Sequence, residues 1–63
     1  MTPEQERWAE ALAVLRMHGD AAETFIAERI AALAGAGDAQ GIARWQEIGG
    51  RLLEVRDATA RVQ

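Results

Sequence analysis

The stretch His18-Gly19-Asp20-Ala21-Ala22-Glu23 decides how this chain is divided. Gly19 suits the left-handed residue that closes a helix, and His18 falls in the last turn, where an imidazolium is favoured by the helix dipole. Asp20 with Glu23 three positions on reads as a fresh N-cap and its capping-box partner. The stretch therefore predicts the end of one helix at about residue 18 and the start of another at about residue 21.

Upstream, Thr2-Pro3-Glu4-Gln5 is a helix start: Thr2 caps, Pro3 suits the first helical position and Gln5 completes a capping box. Trp8, Ala11, Leu12 and Leu15 then recur at helical spacing. Downstream, Ala22, Ile26, Ile30 and Leu33 form the next apolar stripe, which Gly35-Ala36-Gly37 terminates. Asp38 opens a last segment whose apolar arc runs through Ile42, Trp45, Ile48, Gly49, Leu52, Val55 and Thr59. The expected fold is all-α, a single domain over residues 1–63 with three helices at about 3–18, 21–34 and 39–61. The third is the longest, at ~36 Å against ~24 Å for each of the others.

The expected core is Trp8, Leu12, Leu15, Phe25, Ile26, Ile30, Leu33, Ile42, Trp45, Ile48 and Leu52. Leu53 stands at its edge. Gly49-Gly50 sits inside the third helix, where each glycine costs about 1 kcal/mol relative to alanine. A kink explains such a pair, and so does close approach of a neighbouring helix. The second is favoured, because Gly49 projects onto the apolar arc and Gly50 does not.

Size makes this core thin. A chain of about 60 residues buries only ~60% of the surface it exposes when unfolded, and much of the 49% hydrophobic content is alanine. Small domains compensate with a disulfide, a metal or a partner chain. There is no cysteine, which removes disulfides and thiolate metal sites. A lone His18 cannot assemble a zinc or haem site without several carboxylates converging on it. No cofactor is expected, and association is the remaining aid: a protein partner, itself or foreign, with a homodimer the simplest case.

All seven basic residues are arginine, the coding bias of a GC-rich genome, and the net charge is −3. That balance weighs against nucleic acid, whose binders neutralise phosphates with cations. No basic-then-apolar leader opens the sequence, and no apolar run approaches the ~20 residues that span a bilayer. The expectation is a cytoplasmic protein without a membrane segment.

Features that carry chemistry have plainer readings beside them. His18 is of the residue type that serves as a general base or a pH switch, but without a Ser or Cys nucleophile in the chain it reads as a helix-terminal residue. Glu6, Glu10, Glu23, Glu28, Glu47 and Glu54 lack the deep pocket that paired catalytic carboxylates need. Glu47–Arg51 and Asp57–Arg61 stand at i,i+4 and read as pairs on solvated faces. Arg44, Arg51 and Arg61 share one side of the third helix, as in a recognition helix. Glu47, Glu54 and Asp57 are interleaved with them and would repel the same phosphates. Trp8 and Trp45 read as core, with their rings meeting. Val14 and Met17, off the Trp8–Leu12–Leu15 face, and Val55 and Val62, at the margin of the third helix, are the candidate interface residues.

His18-Gly19-Asp20, Phe25-Ile26-Ala27-Glu28-Arg29-Ile30, Leu33-Ala34, Gly37-Asp38, Gly41 and Trp45-Gln46-Glu47-Ile48, with Trp8 upstream, carry a resemblance. Over about residues 5–50 the chain resembles a family of short uncharacterised proteins from GC-rich alphaproteobacteria. The resemblance implies an all-helical fold and no established activity, so no functional residue is carried over. Gly49-Gly50 departs from the helix-favouring residues expected there and puts the straightness of the third helix in question. The function these features support is a non-enzymatic protein-interaction module, an adaptor or regulator. An inhibitor of a mobile-element defence complex, anti-CRISPR-like, is the alternative, and a helix-turn-helix regulator comes after it.

Overall fold

The computed structural model of the chain describes residues 2–62, and side chains through residue 58. Thr2 starts the first helix as its sequence requires. Its Oγ1 accepts from the Gln5 backbone N–H at 3.1 Å, and the Thr2 N–H donates back to Gln5 Oε1 at 3.0 Å. Two of the donors orphaned at a helix start are satisfied by this exchange.

The fold is all-helical but has two helical stretches, not three separate helices. The first, α1, runs over residues 3–35 with no non-helical residue inside it. It consists of an N-terminal arm, Pro3–His18, a 3-10 turn, Gly19–Ala21, and a C-terminal arm, Ala22–Gly35. The second, α2, is Ala39–Val62, and at 24 residues it is the longest uninterrupted α-helix.

The first stretch stays continuous because Gly19, with φ 52°, bends the chain without releasing it from helical bonding. Its N–H donates to the Leu15 carbonyl, and the Ala22 N–H donates to the Gly19 carbonyl. The turn's own hydrogen bonds replace the side-chain cap. Asp20 lies inside the turn, and the residue preceding the C-terminal arm, Ala21, provides no capping side chain. A straight helix over residues 3–35 would be about 50 Å long, and the whole molecule extends only 40 × 27 × 16 Å. The run is therefore bent at the turn, and both arms pack mainly on α2.

The end of α1 is a Schellman closure. Gly37 takes φ 73°, its N–H donates to the Ala34 carbonyl, and the Asp38 N–H donates to the Leu33 carbonyl. Asp38 then caps α2, its Oδ1 accepting from the Gly41 N–H at 2.9 Å. A side chain at Gly41 would crowd that carboxylate, since a Cβ there would lie 2.6 Å from Asp38 Oδ2.

The buried core is Ala11, Val14, Ala22, Ile26, Ile48 and Leu52, with Leu15, Phe25, Ile30 and Trp45 packed against it. Leu33 and Ile42 are half-buried. Two residues expected inside are not: Trp8 is 36% and Leu12 37% exposed. Val14, expected on the surface, is only 8% exposed. The N-terminal arm is rotated by about one residue from the expected face, so that Arg7, Ala11, Val14 and His18 point inward. Each arm meets α2 through a small side chain: Ala11 and Ala22 are fully buried, in one cluster with the large Ile48 and Leu52 of α2. Large side chains on the same arm are displaced to the margin.

Ion pairs fix that rotation. Arg7 bonds Glu47 of α2 and Glu10 of its own arm, both at 2.8 Å, and Arg44 of α2 closes on the other oxygen of Glu10. The expected Glu47–Arg51 pair is replaced by these: Glu47 turns to Arg7, while Arg51 pairs with Glu54 at 3.2 Å and Glu4 at 3.6 Å. Cross-helix partners win because they neutralise charge at a packed junction. The far part of α2 is also held, with Val55 and Arg56 half-buried and Arg56 bonded to Glu23 at 3.1 Å.

Candidate functional site

Among the described residues no group of three His, Cys, Asp or Glu is placed to hold a metal, and no buried side-chain polar atom lacks a partner. Among the described residues, the carboxylate with a resolved shift is Glu10. Partial desolvation works to raise its pKa, but hydrogen bonds from Arg44 and Arg7 outweigh it and hold the carboxyl below its ordinary value. Arg7 is shifted upward, by its hydrogen bond to Glu47 first and to Glu10 second. This cluster is a cross-helix clamp. Its ionised groups pair with one another across the helices, and Arg7, Glu10, Arg44 and Glu47 line the shallow polar depressions on either side of it.

The feature with the chemistry of a binding site is a groove between the C-terminal arm and α2. It has a volume of about 460 Å³ and is lined chiefly by Ile26, Ala27, Ile30, Trp45, Gly49 and Leu53. Its lining is almost wholly apolar, with Glu23 and Gln46 also reaching it. Residues of both helices converge here because the C-terminal arm runs antiparallel to α2. Glu23 meets Arg56 at one end, and Arg29 lies over the Trp45 ring, 5.5 Å from its centroid, at the other.

A chain of rings holds the groove wall in place. His18 stacks on Phe25 with centroids 4.0 Å apart and planes 15° from parallel, and Phe25 meets Trp45 edge-on at 5.8 Å and 73°. Edge-on and offset ring contacts add about 0.5–1.5 kcal/mol beyond burial. One member comes from each arm and one from α2, so the same contacts that brace the bend at Gly19 orient Trp45. His18, at a helix terminus as expected, is a packing residue of this stack.

Gly49 forms part of the groove. A Cβ there would lie 3.5 Å from Ile26 Cγ2, ordinary contact, and a Cβ at Gly50 would meet nothing within 4 Å. Helix α2 continues through both glycines. The packing of the chain on itself thus demands neither of them.

Of the four interface candidates, the three with described side chains do not line the groove. Val14 is buried, Met17 is 78% exposed on the N-terminal arm, and Val55 is half-buried. Val62 lies outside the residues whose side chains are described. The tryptophan rings do not meet: Trp8 lies under the Arg51 guanidinium at 5.6 Å, and Trp45 belongs to the groove. Leu53, which the apolar pattern of α2 places at the edge of the core, is 55% exposed. The available signal was its position one turn beyond Gly49-Gly50, a large apolar side chain beside two absent ones.

Arg44 and Arg51, two of the three arginines of the supposed recognition face, are engaged by Glu10, Glu4 and Glu54. Arg61 lies outside the described side chains. No helix among the described residues is long and apolar enough to cross a membrane.

Neither a curated protein nor a solved structure matches the chain. A family pattern does, over nearly its whole length: the chain belongs to the family of unknown function DUF6961, matched over residues 3–58.

Proposed function

We propose that this chain is a small non-enzymatic protein-interaction module, an adaptor or regulator working in the cytoplasm of a GC-rich alphaproteobacterium. The observation that carries the reading is the apolar groove of Ile26, Ile30, Trp45 and Leu53, open to solvent on a domain that buries few side chains. Concave apolar surface with a braced aromatic wall is the usual form of a peptide- or helix-binding site. The engagement of Arg7, Arg44 and Arg51 by glutamates, with a net charge of −3, supports a protein partner over nucleic acid.

The test is affinity capture of the tagged chain from its host, with Leu53→Glu as the control. Stoichiometric recovery of a protein by the wild type, lost in Leu53→Glu, is the expected result. Recovery of the same proteins by both variants removes the groove from the function.

A further inference from the structure

We infer that the occupant of the groove is a second copy of this chain, paired antiparallel along α2 about a twofold axis; the inference rests on the interaction-module reading above. Gln46, Gly50, Leu53 and Asp57 recur at spacings of four, three and four, which places them on one line along α2. All four are exposed. A large side chain and an open glycine therefore stand one turn apart on a single ridge, and both line the groove.

An isologous interface requires one patch to carry both a feature and its complement. With the axis crossing α2 at the level of Arg51 and Leu52, Leu53 of each copy falls on Gly50 of the other. Gln46 of each copy then falls opposite Asp57, an amide donor facing a carboxylate acceptor. Gly50, where a Cβ would meet nothing in the single chain, thereby acquires a reason, since a helix ridge enters a groove more closely where no Cβ stands.

The dimensions agree. The broad face measures 40 × 27 Å, and a stable dimer of standard size covers about 800 Å² on each partner. A foreign helix would find the same apolar groove, but the matched ridge and polar ends favour the chain's own α2.

Sedimentation of the purified chain from about 1 to about 300 µM tests this, the span in which interfaces of small area dissociate. The wild type is expected to pass from monomer to dimer. Leu53→Glu and Gly50→Leu are each expected to raise the dissociation constant at least ~30-fold, the size of a hot-spot loss. Helical circular dichroism should be unchanged, because both positions are exposed in the single chain. Gln46→Glu should weaken the dimer by facing Asp57 with like charge, and Asp57→Lys added to it should restore association.

A wild type that stays monomeric overturns the inference, and so does a dimer that Leu53→Glu leaves intact. A monomeric wild type that still captures another protein through Leu53 defeats self-pairing alone. A monomeric wild type that captures nothing defeats the interaction reading as well.

Discussion

Arg7 donates its Nε–H to Glu47 Oε2 at 2.8 Å across forty positions of sequence, and its Nη1 reaches Glu10 at the same distance. With Arg44 on the other oxygen of Glu10, the N-terminal arm is locked to α2 at one rotation. Glu10 is the shared member. Glu10→Gln is expected to lower stability by about 0.5–1 kcal/mol at neutral pH in low salt, the upper range for a partly exposed pair. The difference should shrink in about 1 M salt, where the Debye length falls to ~3 Å. Urea unfolding at both salt concentrations checks it.

The same carboxylate sets an acid dependence. Its folded pKa lies below its ordinary value, so protonation favours the unfolded chain. The stabilisation is complete above the unfolded carboxyl range, near ~4.3, and is lost as pH falls through the lower folded value. The gap between wild type and Glu10→Gln should therefore close on acidification below about pH 4. A constant gap down to about pH 2 would show that Glu10 acts by packing alone.

Capping offers a contrast between two aspartates. Asp38 accepts from the Gly41 N–H, and Asp20 sits within the 3-10 turn before an arm that has no side-chain cap. Asp38→Ala should cost about 1 kcal/mol, which in a domain of this size lowers Tm by roughly 4–8 °C. Asp20→Ala should stay within about 0.5 kcal/mol of wild type. Equal losses from the two would mean that Asp20 caps after all.

The glycines divide in the same way. Gly19 holds φ 52°, so Gly19→Ala forces a side chain into a strained backbone and should destabilise by about 1–2 kcal/mol. Gly50 has ordinary helical geometry and open space around a Cβ, so Gly50→Ala should stabilise the monomer by about 0.5–1 kcal/mol. Thermal unfolding at low micromolar concentration separates this gain from any effect on association.

Burial predicts a wide spread among apolar truncations. Leu52→Ala and Ile48→Ala, at fully buried positions, should cost about 2–5 kcal/mol. Either loss is large beside the ~5 kcal/mol that marks the lower end of domain stability. Leu12→Ala, at 37% exposure, should cost far less, about 1 kcal/mol. Chemical unfolding of the three variants ranks them directly.

What the residues determined alone was local. The Thr2–Gln5 box, the Asp38 cap, the glycine closure before Asp38 and the apolar arc of α2 are all legible, because each is set by neighbours within one or two turns. Tertiary structure decided two things. At Gly19-Asp20-Ala21 two outcomes share one signature, a capped restart and a bent continuation, and the packing of both arms on α2 selected the second. On the N-terminal arm two overlapping stripes competed, Trp8–Leu12–Leu15 and Arg7–Ala11–Val14. Ranking by hydrophobic size chose the first. Close approach of helices and the charge pairing of Arg7 and Glu10 with α2 chose the second, and neither depends on residues adjacent in sequence. The groove was invisible for the same reason: it exists only where Ile26 and Ile30 of one helix are brought beside Trp45, Gly49 and Leu53 of the other.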